Sequence, residues 1–511
     1  MKSRTRWILL ILLMVFAGAI RIWGAMERPL SIYEIWTWRD SKVGVANMIR
    51  WQHHYEHSPL SYILVRISEK VFQSEAEWVL RFPSLLGGML CIPAAFALGR
   101  VVGSRSLGLV AAALVAFDPN LTVQSMEARM YALFMLFFLL ALCWLVLLHQ
   151  RWVDRGWAWM VFGIWLSLLY WSSNLGLVAG IALLITLLVW ALQEKRNANR
   201  DNARRVLIGT LISFGLAAAA CHVGFLHLAQ RIAGGGRSVG VKTQTGILGS
   251  GKETCEALGR LYEWPLLSGA IILLAVTGIY ALSRRSKLLA WSIAIVAILN
   301  LGGVALLRTD HHYVAARYLT AVQPFIWLGV SASIVHGLER RRVLSLFSLG
   351  TLIALFIVCN AFSLVVRPNA DSILSEQMRQ LSRRVDQEDR VAFYPEYLLQ
   401  MSKYYHFQDR YLATEKILSG TGWADELNSR PARVWLVVGR ISRQNPVSEA
   451  DETFNPLVRF FAGEYDLGEF RKLLEAEKAL VIQIGPKGVE YYGLRRRGRS
   501  LLPKVLQKVS P

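Results

Sequence analysis

The sequence predicts a mainly α-helical, polytopic transmembrane helix bundle of about eleven spans, followed by a small C-terminal extracytoplasmic α/β domain. Three observations lead there. Hydrophobic residues fill 54% of the 511 positions, 18 of them tryptophan, and mean hydropathy is +0.36. The apolar residues gather into many separate runs of about 20, the length that crosses a bilayer as a helix. The formal charge of +21 falls in short basic clusters between those runs. That is the positive-inside pattern of a membrane protein, and it removes nucleic acid from the expected partners.

The elements follow in order. Met1 to Arg6 is basic and precedes the first apolar run, with Arg21 near its end and a poor cleavage pattern, so an uncleaved signal anchor is expected. The expected spans are Trp7–Trp23, Pro83–Val101, Ser106–Val123, Met130–Leu148, Trp157–Trp171, Leu175–Leu192, Val206–Leu226, Trp264–Leu282, Leu288–Leu307, Tyr318–His336 and Val343–Val366.

Lys2, Arg4 and Arg6 precede the first span. Every even-numbered exit is basic too: Arg100 and Arg105, Arg151 and Arg155, Lys195 to Arg205, Arg284 to Lys287, and Arg340 to Arg342. One side collects them all, and that side is expected to be the cytoplasm. The protein is thus expected in the plasma (inner) membrane, with the N-terminus cytoplasmic and the C-terminal domain outside.

The outer side then holds a long first loop, residues 24–82, together with Asp118 to Arg129, the Gly-rich His227 to Glu263, and Arg308 to Arg317. Within the first loop, Pro59 to Phe72 carries Arg66, Glu69 and Lys70. It reads as an amphipathic helix lying on the interface.

After Val366 the composition changes. Residues 1–366 form the expected membrane domain and 367–511 the outer α/β domain. Asp371 to Arg384 is a charged helical stretch. Arg390 to Tyr394, Arg433 to Val438, Leu480 to Ile484 and Val489 to Leu494 are expected strands, rich in β-branched and aromatic residues. The tail Arg495, Arg496, Arg497 and Arg499 reads as solvated.

Cys91, Cys143, Cys221 and Cys359 lie inside apolar runs and Cys255 in a polar loop, with neither disulfide nor metal spacing. His53, His54, Glu56 and His57 put two histidines at i, i+4, but Pro59 follows and no third ligand is fixed. No metal and no cofactor are expected.

Polar residues cluster at the outer ends of the spans. Glu34 sits among Tyr33, Trp36 and Trp38, just past the first span, where a carboxylate is partly desolvated and costs free energy unless it is used or paired. Asp118-Pro119-Asn120 is followed by Glu127-Ala128-Arg129-Met130-Tyr131, an acid, a guanidinium and a phenol at the mouth of the fourth span. Arg129 can grip a phosphate in a planar, bidentate way. His311-His312-Tyr313 and then Arg317-Tyr318 repeat the pairing of cation and phenol. Each cluster has a plain alternative as interfacial anchoring. Together, on one side of one membrane, they describe a site for an amphiphile that carries phosphate.

At these residues the chain resembles the GT-C superfamily of membrane glycosyltransferases, in the branch of protein O-mannosyltransferases and bacterial lipid A sugar transferases. The motifs are Tyr33-Glu34 where the branch has an acid pair, His57-Ser58-Pro59-Leu60 where it has a His-Pro-Pro-Leu-like stretch, and Arg81-Phe82-Pro83-Ser84 opening the second span. Glu127 to Tyr131 at the fourth span and Arg317-Tyr318 with Pro324 complete the series. Two departures stand out: Tyr33 replaces the first acid of the pair, and Asp118-Pro119 stands where Ser-Pro is usual.

The resemblance implies inverting transfer of a sugar from a polyprenyl-phosphate donor to a glycolipid, glycan or protein acceptor on the outer face. A carboxylate would take the acceptor's proton, and arginines would stabilise the departing lipid phosphate. It implies Glu34 as base, with Glu127 or Asp118 as second acid. Arg129, Tyr131, His57, Arg317 and Tyr318 would contact substrate. Membrane lipids are the remaining partner. The alternative is a non-catalytic paralogue, a lipid-linked sugar flippase or a scaffold; a glycan polymerase shares the same sidedness.

Overall fold

The structure is a computed structural model. It describes residues 3–50, 58–233, 258, 262, 264–284, 287–306, 316–340, 342–361, 378, 381–383, 404 and the five strands given below. The chain divides into two units. The first is Met1–Glu27 with Asp40–Val366, and the second is Arg28–Arg39 with Arg367–Pro511.

The first unit is helical. Its long helices are α1 (Ser3–Glu27), α5 (Glu77–Val102), α6 (Arg105–Phe117), α8 (Tyr131–Leu147), α9 (Gly156–Ser172), α10 (Leu175–Arg196) and α11 (Arg200–Ala233). They continue as α12 (Pro265–Ser283), α13 (Lys287–Leu306), α14 (Gln323–Arg340) and α15 (Arg342–Ala361). Its shorter helices are α3 (Val45–Arg50), α4 (Leu60–Phe72) and α7 (Pro119–Ser125), with a 3-10 turn at Ala316–Val322, while α2 (Ile32–Ser41) lies mostly in the second unit. Among the described residues, eight helices are long and apolar enough to cross a membrane. A ninth arises if α6 and α7 form one span bent by 59°. The protein is therefore a multi-pass membrane protein. Two further expected spans coincide with α9, which has 17 residues, and with α13.

Burial sorts these helices into centre and rim. α8 is apolar all round and buried along most of its length, as a central helix must be. α1, α12 and α15 leave large side chains such as Phe16, Leu266, Leu273 and Phe347 exposed, the pattern of helices that face lipid. Between α12 and α14, Gly278 and Gly329 meet backbone to backbone. A Cβ on Gly278 would run into the Gly329 carbonyl, so only glycine permits this approach, as at many membrane helix crossings.

The interface helix expected at Pro59 to Phe72 is α4. It buries Ser61, Tyr62, Val65 and Ser68 and leaves Ile67, Val71 and Phe72 exposed. Arg66 holds it to the chain before it, with Nη1 donating to the Ser41, Lys42 and Val43 carbonyls at 3.0, 2.8 and 2.9 Å.

In the second unit the described strands are β1 (Arg390–Tyr394), β2 (Val434–Val438), β3 (Leu480–Gly485), β4 (Gly488–Gly493) and β5 (Leu502–Val505). They form one sheet in that order. β1 and β2 are parallel and the remaining neighbours antiparallel. β5 was not expected from the sequence. Among the described residues it pairs with β4 alone, and its Pro503 is tolerated because an edge strand can spare one N–H. Most of the expected helix Asp371 to Arg384, and the segments between the strands, lie outside the described residues.

Candidate functional site

The expected third span, Ser106–Val123, is broken. α6 stops at Phe117 and α7 starts at Pro119. Pro119 has no N–H, so the helical ladder cannot continue through it. Asp118 closes the gap from the other side: its Oδ1 accepts from the Leu121 N–H at 2.8 Å, capping α7. Its Oδ2 accepts from the Trp327 indole Nε1 of α14 at 2.9 Å. Asp118 is completely buried, and both of its oxygens are engaged.

α7 leads into the segment with the expected substrate groups. Arg129 N–H donates to the Glu127 carbonyl at 2.7 Å, forming a tight turn before α8. The Arg129 carbonyl accepts from Ser84 Oγ at 2.8 Å, which ties this turn to the Arg81-Phe82-Pro83-Ser84 opening of α5. Arg129 and Tyr131 are buried and Glu127 is half-buried.

Two other bonds draw in the neighbouring loops. Gln124 Nε2 donates to Thr320 Oγ1 at 3.4 Å, joining α7 to the 3-10 turn that contains Arg317 and Tyr318. Ser58 Oγ donates to Asn174 Oδ1 at 3.0 Å, joining the start of α4 to the turn between α9 and α10. At the opposite end of the bundle, Gln150 Nε2 donates to the Val101 carbonyl at 3.1 Å, among the basic exits. The loops assigned by charge to one side thus bond to one another. His53 to His57 and His311 to Tyr313 lie outside the described residues.

Glu34 belongs to the second unit. It sits in the first turn of α2 and is buried. Ser31 N–H donates to Glu34 Oε2 at 2.8 Å, and Glu34 N–H donates to Ser31 Oγ at 3.3 Å. This is a capping box, in which a helix's first residues satisfy each other's backbone groups. Its signal in the sequence is Ser31-Ile32-Tyr33-Glu34, a Ser-x-x-Glu pattern. The aromatic setting around Glu34 is also internal to this unit: Tyr33 and Trp36 meet edge to face at 5.4 Å, and Trp38 meets Tyr404 at 5.2 Å.

The family model of dolichyl-phosphate-mannose-protein mannosyltransferases matches residues 56–220. That stretch runs from α4 through the broken span and Arg129 into α11. Among solved structures, the chain resembles the oligosaccharyltransferase AglB of Archaeoglobus fulgidus in complex with an inhibitory peptide and a dolichol-phosphate. The two are 13% identical, with a TM-score of 0.54 over 97% of this chain and 75% of that one. It also resembles ArnT from Cupriavidus metallidurans bound to undecaprenyl phosphate, at 13% identity and a TM-score of 0.50, covering 86% of this chain and 94% of that one. No curated protein sequence matches the chain. At such identities the likeness is one of fold, shared with these two membrane proteins.

Proposed function

We propose that the protein is an integral membrane glycosyltransferase. It moves a sugar from a polyprenyl-phosphate donor to a glycolipid, glycan or protein acceptor at the outer membrane face. The observation that carries this reading is the buried Arg129 at the mouth of α8, in a turn fastened to α5 by Ser84 and to the broken span by α7. A buried arginine in a turn held at the end of a span suits a phosphate carried on a membrane-embedded lipid. The dolichol-phosphate and undecaprenyl phosphate held by the two related structures supply the ligand class.

In this reading Arg129, Arg317, Tyr131, Tyr318 and His57 are the residues assigned to substrate binding. Negative charge grows on that phosphate as its bond to the anomeric carbon breaks, and a positioned arginine binds the transition state more tightly than the ground state. Glu34 is the proposed base and Glu127 the proposed second acid, and displacement inverts the anomeric centre. Asp118, with both oxygens engaged, serves as a structural anchor of the site. The reading includes eleven spans, a cytoplasmic N-terminus and an extracytoplasmic α/β domain. No metal or cofactor is invoked.

A second reading has a specific observation behind it. The Glu34 carboxylate caps its own helix, and Tyr33 stands in place of a first acid. Both fit a non-catalytic paralogue that binds lipid-linked sugar without transferring it. Purified protein in nanodiscs separates the readings. The enzyme reading expects undecaprenyl phosphate to bind, and sugar to leave an undecaprenyl-phosphate sugar when acceptor membranes are added. Binding without transfer supports the paralogue, and absence of binding overturns both.

A further inference from the structure

α1 carries a single charged residue along its middle, and that residue is wholly buried. Ala17, Arg21 and Ala25, spaced by four, form its inward face, while Ile8, Ile11, Val15, Phe16, Ile22 and Trp23 are exposed. An arginine inside a membrane bundle costs free energy unless its donors and charge are matched. Here they are matched by the broken span. Nη1 donates to the Ala116 carbonyl at 2.8 Å and to Ala17 of its own helix at 3.1 Å; Nη2 donates to the Val115 carbonyl at 3.2 Å. Nε reaches Ser125 Oγ, in the last residue of α7, at 3.4 Å. Asp118 is its electrostatic neighbour.

The need for these bonds follows from the sequence. In a continuous helix the Val115 carbonyl would accept from residue 119, but Pro119 has no N–H to give. The Leu121 N–H, which would serve Phe117, is taken by Asp118. Arg21 serves Val115 and Ala116, and Asn360 Nδ2 of α15 serves Phe117 at 2.8 Å. Two further contacts fix the outer side of the break. A Cβ on Gly88 of α5 would collide with the Ser125 side chain, and Ala25 packs with Leu85 and Met126 immediately before Glu127.

We propose that Arg21 is a positioning residue: it bridges the end of α6 and the end of α7, holds the span open at Asp118-Pro119, and so sets the turn that presents Glu127 and Arg129. Its effect on ligand rests on the reading of Arg129 as a phosphate contact; its effect on the break does not.

The test uses the full-length protein in nanodiscs, with two measurements: hydrogen exchange of residues 120–126, and binding of undecaprenyl phosphate per folded protein. Arg21→Met should speed exchange in that segment and weaken binding by about tenfold or more, the scale of losing one charge-assisted hydrogen bond. Pro119→Ala added to Arg21→Met returns the missing N–H and permits a straight helix. Exchange should slow again while binding stays weak, because the bend is lost. A purely structural arginine would regain binding together with protection. That result overturns the proposal, as does unchanged exchange in Arg21→Met or a double variant that recovers neither property. If the wild type binds no undecaprenyl phosphate, the functional reading fails, and exchange alone decides the role of Arg21 at the break.

Discussion

Ser31 and Glu34 satisfy each other across one helical turn, at 2.8 and 3.3 Å. The side chain proposed as base is therefore also the cap of α2, and the two roles respond differently to substitution. Glu34→Gln keeps an oxygen able to accept from Ser31 N–H but cannot take a proton. Transfer should fall about 100- to 10,000-fold with melting temperature nearly unchanged. Ser31→Ala removes the side-chain acceptor of the Glu34 N–H but leaves the Ser31 carbonyl at 3.0 Å, costs about 1 kcal/mol at most, and should leave the rate per folded protein close to wild type. Equal, small effects of the two substitutions on transfer would leave Glu34 as a cap and nothing more.

Asp118 makes the opposite case. Trp327→Phe removes the donor to a buried oxygen and should destabilise the protein by about 1–3 kcal/mol. Asp118→Asn should lower activity only in proportion to folded protein recovered. A loss of 100-fold or more in rate, with melting unchanged, would return Asp118 to the chemistry.

Arg129→Ala should weaken undecaprenyl-phosphate binding while leaving the fold intact, since the Ser84 bond goes to the Arg129 backbone. Arg129→Lys should rescue poorly, because an ammonium cannot form the two parallel bonds of a guanidinium. Isothermal titration in detergent reads both. Full rescue by lysine would reduce Arg129 to a point charge.

The basic exits lie on alternate loops, so reporter fusions test orientation. Alkaline phosphatase fused after Pro511 should be active, and after Glu194 inactive. The reverse pattern contradicts the assignment.

The helices were legible because an apolar run near the bilayer length can do little else. The break was not: Leu121 and Val123 continue the apolar run past Pro119, so hydropathy hides the missing N–H. Arg21 read as an interruption near the end of a signal anchor. Its partners outside its own helix lie 94 to 104 residues away, and only packing reveals them. β5 was masked by Pro503 and by the arginines at 495–499 before it. The cap at Ser31 was legible throughout, obscured by the aromatic residues around Glu34 that invited a catalytic reading.

The most direct test of the central claim is mass spectrometry of membrane glycolipids and envelope glycans from cells with and without the gene. Deletion should remove one sugar from one acceptor class and raise the pool of a matching polyprenyl-phosphate sugar. Wild type should restore both and Glu34→Gln neither. Unchanged glycans together with an unchanged donor pool would contradict a sugar-transfer function for this protein.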